Sequence, residues 1–245
     1  MSAPVAAPGG IAGAPQRARV GRDFHLALAL TVAAVVAVGF GRTANANLVH
    51  PPSPRPPILY IHAAIFTGWV LLFVAQVALV RLRRVAWHRR LGLFGMLLGA
   101  LMPMVGIATA LAMTRLRRAE GSTGGEAFLV ISLFDMLAFA TTFGLAMRWR
   151  RRPEYHRRLL VMATCGLTVA AFARFPGGLM PDDAWYLGVD ALLLAAAAHD
   201  WRVMRRVHRV YLYGVPALML GQATAMWIYK SNAPAWIAIA EVLLR

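Results

Sequence analysis

Long apolar runs recur along this chain, and they constrain its fold more than any other feature of the sequence. Each run is near the length that crosses about 30 Å of hydrocarbon at a rise of about 1.5 Å per residue. The chain has 245 residues, of which 59% are hydrophobic and only 15% are charged, a composition typical of multi-pass membrane proteins. We therefore predict an all-α fold, an integral membrane bundle of seven helices. The predicted spans lie at about 24–40, 58–80, 91–113, 127–147, 158–175, 184–199 and 210–230.

The two ends of the chain differ from this pattern. Residues 1–20 are rich in Ala, Pro and Gly without an apolar period, which predicts a flexible tail ahead of a membrane domain over residues 21–245. Because small residues at 44–46 offer a cleavage spacing, the first run is either a span or the apolar core of a cleaved signal. At the other end, the apolar residues after Pro234 predict a short interfacial helix at about 235–244.

Three connectors between the apolar runs repeat one basic pattern, an arginine cluster followed by a His-Arg pair. They lie at 81–92, 150–159 and 202–211. Together with Arg148, just before the second connector, and the amino-terminal segment, they hold eighteen of the 26 Lys and Arg residues. Since basic residues collect on the cytoplasmic side of a membrane protein, we expect a cytoplasmic amino terminus and an external carboxyl terminus. The net charge of +16 is thus a topology signal, which predicts anionic lipid headgroups rather than nucleic acid as partners.

Two aspartates fall inside predicted spans, where a charge is costly and is functional by default. Asp135 and Asp190 each lie about two turns from the outer end of their span, and His62 and Arg174 fall at a similar depth. These four residues are predicted to form an intramembrane polar site in the outer half of the bundle. Two interpretations stay open. Either the site binds a solute, or the aspartates pair with Arg174 or a hydroxyl only to fix helix packing.

Histidines cluster on the predicted cytoplasmic face, where five of the seven lie at helix ends. Imidazoles in such numbers can ligate a transition metal or a haem iron. The alternative is that each ring lies at headgroup level beside arginines, since the spacing matches no metal motif. The candidate ligands are His88, His156, His199 and His208.

The His-Arg-Arg sequences at the start of two predicted helices allow a further interpretation. A helix start presents free backbone amides and a positive dipole end, and guanidinium groups beside it favour an anion. Lipid phosphate is the expected anion. The predicted contacts are Arg89, Arg90, Arg157 and Arg158.

Small residues in the third run predict close helix packing. Gly92, Gly95, Gly99 and Gly106 lie near one stripe, a spacing that lets helix backbones approach each other. No Walker sequence, Gly-x-Ser-x-Gly or Cys-x-x-Cys is present, and no catalytic residue is assigned.

The paired [Trp/Tyr]-His-Arg-Arg-Leu connectors, with His62 and the histidines near the last connector, resemble bacterial multi-pass membrane proteins related to the CtaM-like haem-copper-oxidase assembly factors. The resemblance covers mainly residues 58–230. It implies a small inner-membrane protein that acts in maturation of a respiratory oxidase or in haem or copper handling. It carries over, as candidate ligands only, His62, His88, His156, His199 and His208.

Three functions follow as expectations from the sequence. The leading one is a bacterial inner-membrane accessory protein that handles haem or a metal ion for a membrane electron-transport complex, without catalysis of its own. The second is a carrier or receptor for a small polar or amphipathic solute bound in the outer-half polar site. The third is a membrane enzyme that uses the cytoplasmic histidines on a lipid.

Overall fold

The structure, a computed structural model, describes residues 13–176, 179–181 and 183–245, with side chains from residue 23 onward. All regular secondary structure in this part of the chain is helical, which confirms the all-α prediction. A π-helical turn, Asn45–Val49, continues the first helix. The helices are α1 Gly13–Ala44, α2 Pro57–Arg81, α3 Val85–Ala119, α4 Gly125–Arg148, α5 Pro153–Gly166, α6 Val169–Phe172, α7 Trp185–Met204, α8 Arg209–Lys230 and α9 Pro234–Leu243.

Four of these helices are long and apolar enough to cross a membrane: α1 with its π-helical turn, α2, α3 and α4. Their length and apolar composition are those of transmembrane helices. Proline residues at the first helical position start α2, α5 and α9, since a residue there needs no amide donor.

The helices extend past the predicted spans. The third span was predicted at 91–113, whereas α3 runs from Val85 to Ala119, about 52 Å at 1.5 Å per residue. The apolar run marks only the part that suits hydrocarbon, and the flanking Arg-rich turns continue the helix outside it. At the amino terminus, α1 begins at Gly13, inside the predicted tail, and residues 1–12 lie outside the described residues.

The fifth apolar run differs from its prediction of one helix over 158–175. α5 ends at Gly166, and the four-residue α6 follows after a break at residues 167–168. The Thr168 hydroxyl donates a hydrogen bond of 2.6 Å to the carbonyl of Cys165. Such a side-chain hydrogen bond competes with the backbone hydrogen bonds of the helix, and it lies at the break between α5 and α6.

α5 lies at the centre of the bundle. It contacts α4, α7 and α8, and the Trp69 indole of α2 donates to the Thr164 hydroxyl at 3.3 Å. Half of its residues are buried, including one charged side chain, Arg158.

The glycines of α3 face two different neighbours. A Cβ atom at Gly95 would touch the Leu72 side chain of α2. At Gly99 it would meet the Phe143 ring, and at Gly106 the Met136 side chain, both on α4. The glycine stripe therefore lets α3 approach α2 and α4 together.

Ion pairs mark the two ends of the bundle. At the end that holds the three basic connectors, here called the basic end, Arg81 Nε lies 2.7 Å from Asp23 Oδ1. At the opposite end, Arg55 reaches Glu120 at 3.3 Å, and Lys230 Nζ lies 3.4 Å from Asp183 Oδ2. Consecutive long helices therefore run antiparallel.

Candidate functional site

Asp135 lies near the middle of α4 and points towards α7. Its Oδ1 atom accepts a hydrogen bond of 2.8 Å from the hydroxyl of Tyr186, the second residue of α7. A carboxyl group on one membrane-spanning helix is thus held by a phenol on its neighbour.

Asp190 lies one turn further along α7, on the same face as Tyr186, and is 9% exposed. It interacts electrostatically with Tyr186, and the amide of Gln222 on α8 lies beside it. Asp190 Oδ1 and Gln222 Oε1 are both buried, and neither has a hydrogen-bond partner in the described part of the chain. We call Asp135, Tyr186, Asp190 and Gln222 the polar cluster.

Three aromatic rings lie between the polar cluster and the opposite end of the bundle. Phe128 of α4 is edge-on to Trp185 of α7, with centroids 5.9 Å apart, and to Tyr229 of α8 at 5.6 Å. Trp185 and Tyr229 are 6.3 Å apart. Phe128 precedes Asp135, and Tyr229 follows Gln222, by two turns, about 10 Å along each helix. We call these three rings the aromatic trio.

An apolar groove separates α4 from α8 on the outer surface of the bundle. Its volume is about 410 Å³. Phe134 lines it, and the same ring lies edge-on to Tyr186 with centroids 6.5 Å apart. Gly221 lies opposite, where a Cβ atom would strike the Phe134 ring. The lining of this α4–α8 groove is Val130, Phe134, Ala217, Leu220, Gly221, Thr224, Ala225 and Ile228.

The other two residues of the predicted intramembrane site lie elsewhere. Arg174 follows α6, where its guanidinium covers the Phe40 ring of α1 at 4.7 Å and donates to the Ala170 carbonyl at 2.5 Å. His62 stacks on Phe66 within α2, with centroids 4.0 Å apart. Within the described residues, neither aspartate forms an ion pair with Arg174. The structure brings Asp135 and Asp190 to one cluster and leaves His62 and Arg174 outside it.

Arg158, predicted to contact a lipid phosphate, has a different environment. Its side chain is 1% exposed and binds Asp200 of α7 through Nε to Oδ2 at 2.5 Å and Nη2 to Oδ1 at 2.8 Å. A guanidinium that is enclosed and paired in this way does not reach a headgroup. The other three predicted lipid contacts, Arg89, Arg90 and Arg157, are exposed.

The four candidate metal or haem ligands have separate surroundings. His199 stacks on Phe24 with centroids 3.8 Å apart, and His156 Nδ1 lies 2.9 Å from the Ala146 carbonyl. His208 accepts from the Val210 amide at 3.2 Å as the cap of α8, and the Nδ1 atom of His88 is buried. Burial and the nearby Arg158 guanidinium lower the pKa of His208, which keeps its ring neutral near pH 7. Across the described ranges, no group of three or more His, Cys, Asp or Glu side chains is arranged to hold a metal ion.

No protein-family model matches the chain, and no significant match is found among curated proteins or solved structures. The resemblance to CtaM-like assembly factors therefore stays a prediction.

Sequence reasoning missed two members of the polar cluster, Tyr186 and Gln222. Each carries a signal that is visible in the sequence. Tyr186 precedes Asp190 by four residues, which places both on one helix face. Gln222 is an amide side chain within an apolar run, where a polar group requires a partner.

Proposed function

We propose that this protein is a membrane carrier or receptor that binds a small polar or amphipathic solute at the polar cluster. One observation carries the proposal: Asp190 and Gln222 hold buried oxygen atoms without partners, beside a second carboxyl group on another helix. Buried acceptors are costly when they stay unsatisfied. A bound solute with hydrogen-bond donors removes that cost.

A purely structural pair explains this arrangement less well. Polar groups that only fix helix packing satisfy one another, as Arg158 and Asp200 do at the basic end. In the polar cluster, the Tyr186 hydroxyl serves Asp135 and the Gln222 amide lies beside Asp190, yet Asp190 Oδ1 and Gln222 Oε1 stay without partners. These two unpartnered acceptors support a site for a ligand.

The proposal includes the topology of the whole bundle. α5 with α6 forms the fifth span, α7 the sixth and α8 the seventh, in a bacterial inner membrane with a cytoplasmic amino terminus. The bias of basic residues towards one end and the alternation of ion pairs between the two ends support this arrangement. In this orientation the polar cluster lies in the outer half.

Handling of haem or a metal ion for an electron-transport complex has less support from the geometry. Three of the four histidines at the basic end, His156, His199 and His208, have separate partners rather than a shared point of convergence. The same separation weakens the proposal of a histidine-dependent enzyme acting on a lipid. Metal and haem analysis of the purified protein, with His88→Ala and His156→Ala, tests both.

Thermal-shift measurements test solute binding directly. The purified full chain is screened against small amines, quaternary ammonium ions, amino acids, carboxylates and sugars. Since a ligand present at about 100 times its Kd stabilises a protein by about 2.7 kcal/mol, binding raises the Tm. We expect a class of compound that stabilises the native protein and the control Asp183→Asn, but neither Asp135→Asn nor Asp190→Asn. If no compound raises the Tm of the native protein more than that of Asp190→Asn, the proposal is wrong.

A further inference from the structure

Building on the proposed function, we infer that the solute is an amphipathic organic cation that enters from the lipid phase. Its cationic group lies at Asp135 and Asp190, and its apolar part lies in the α4–α8 groove. The inference specifies both the chemical class of the solute and its direction of entry.

The sign of the charge follows from the groups around the polar cluster. Two carboxyl groups lie near Tyr186: Asp135 accepts its hydrogen bond, and Asp190 lies one turn along the same face of α7. Among the described residues, no Lys or Arg forms an ion pair with either carboxyl, and the nearby Lys230 is paired with Asp183. An anion would find no cationic partner here, whereas a cation can pair with either carboxyl group in its ionised form.

The groove accounts for the apolar part of the solute. Its volume of about 410 Å³ lies within the range of about 300–1,000 Å³ typical of small-molecule sites. Leu220 and Thr224 on its rim are exposed on the outer surface of α8, the surface that faces acyl chains in a membrane. The groove thus opens to lipid rather than to water.

The groove lining and the polar cluster contain neighbouring residues in two helices. Phe134 lines the groove and Asp135 follows it in α4, while Gly221 lines the groove and Gln222 follows it in α8. A molecule with a charged head and a short apolar chain therefore reaches both. The Phe134 ring, which contacts Tyr186 on one side and the groove on the other, is the residue that must move to admit the head.

A binding experiment with three probes tests the inference. The full chain in nanodiscs is dialysed against octyltrimethylammonium, tetramethylammonium or octyl sulfate, with empty nanodiscs subtracted. We expect saturable binding of octyltrimethylammonium, weaker binding of tetramethylammonium and no specific binding of octyl sulfate. Ala217→Phe fills the groove and should weaken the binding of octyltrimethylammonium about tenfold. This is the affinity expected to be lost when about two methylene groups of the probe are excluded from the groove. Thr224→Phe, a second way to fill the groove, should act similarly.

The matched control is Ala223→Phe, the same substitution at an exposed position of α8 outside the groove. It should bind both cations like the native protein, and Asp190→Asn should lose both. If Ala217→Phe and Thr224→Phe bind octyltrimethylammonium normally while Asp190→Asn does not, entry through the groove is wrong and the proposed function stands. Equal binding of octyl sulfate, or binding of no cation, overturns the assignment of a cation. In that case, the thermal-shift screen with the other classes of compound tests the proposed function independently.

Discussion

The Tyr186 hydroxyl donates a hydrogen bond of 2.8 Å to Asp135 Oδ1, and this bond joins α7 to α4 across the bundle. Tyr186 also lies on the α7 face that carries Asp190, one turn before it. The rotation of α7 relative to α4 therefore depends on this residue.

Tyr186→Phe removes the donor but keeps the ring against Phe134. We expect a loss of about 0.5–2 kcal/mol in the free energy of unfolding, the usual range for such bonds in proteins and membranes. Denaturant unfolding in micelles measures it. Tyr213→Phe is the control, because that side chain is 69% exposed and its hydroxyl has no comparable role. Equal effects of the two substitutions would contradict a structural role for the bond.

We expect a larger loss in the free energy of unfolding when the Arg158–Asp200 pair at the basic end is broken. Asp200→Asn leaves a guanidinium buried without its counterion, which costs about 3–5 kcal/mol. Because two matched apolar residues remove both buried charges, Arg158→Met with Asp200→Leu should recover most of that loss.

The Asp23–Arg81 pair is the control for this prediction. Both of its side chains are more than 40% exposed, so Asp23→Asn should cost less than about 1 kcal/mol. A similar cost for Asp23→Asn and Asp200→Asn would show that burial does not decide the strength of these pairs.

Hydropathy and charge predict which residues lie in the apolar layer, so the features of the fold that depend on this layer could be predicted from the sequence. The all-α fold, the long apolar helices and the basic end all follow from it. The ends of α3 do not, because Val85–Arg90 and Thr114–Ala119 are helical outside the apolar run. The break after α5 depends on a local hydrogen bond of Thr168, which no sliding average detects.

Depth along a helix does not fix the direction in which a side chain points. Asp135, Asp190, His62 and Arg174 share a predicted depth, yet the structure places Arg174 against Phe40 of α1, away from both aspartates. Likewise Arg158 is one of six basic residues near its connector, and only its position opposite Asp200 distinguishes it. Partner identity depends on helix rotation, which a single sequence does not determine.

Two glycines of α1 give a matched pair for testing the packing of the broken fifth span. A Cβ atom at Gly39 would strike the backbone of Ala171 in α6, and a backbone cannot rotate away as a side chain can. Gly39→Ala should therefore destabilise the protein by about 1–3 kcal/mol. At Gly41 nothing described lies within 4 Å of the added atom, so Gly41→Ala should be neutral or stabilise by up to about 1 kcal/mol. Thermal unfolding of the two variants compares them. Equal stability would mean that α6 does not pack against α1 as closely as the structure shows.

Reporter fusions test the proposed topology. Fusions after Arg84, Arg152 and Arg206 should be cytoplasmic, because the basic connectors lie at one end of the bundle. Fusions after Arg55 and Arg118 should be external, at the end where Arg55 pairs with Glu120.

The fusion after Lys230 distinguishes seven spans from four. If only α1 to α4 cross the membrane, everything after Arg148 is cytoplasmic and this fusion reports cytoplasmic. If α5 with α6, α7 and α8 also cross, it reports external, at the end where Lys230 pairs with Asp183. We expect the external result, because α5 and α8 both pack against α4, a helix long and apolar enough to span, and half of the α5 residues are buried. A cytoplasmic signal after Lys230 would place the polar cluster outside the membrane and remove the basis for entry of the solute from lipid.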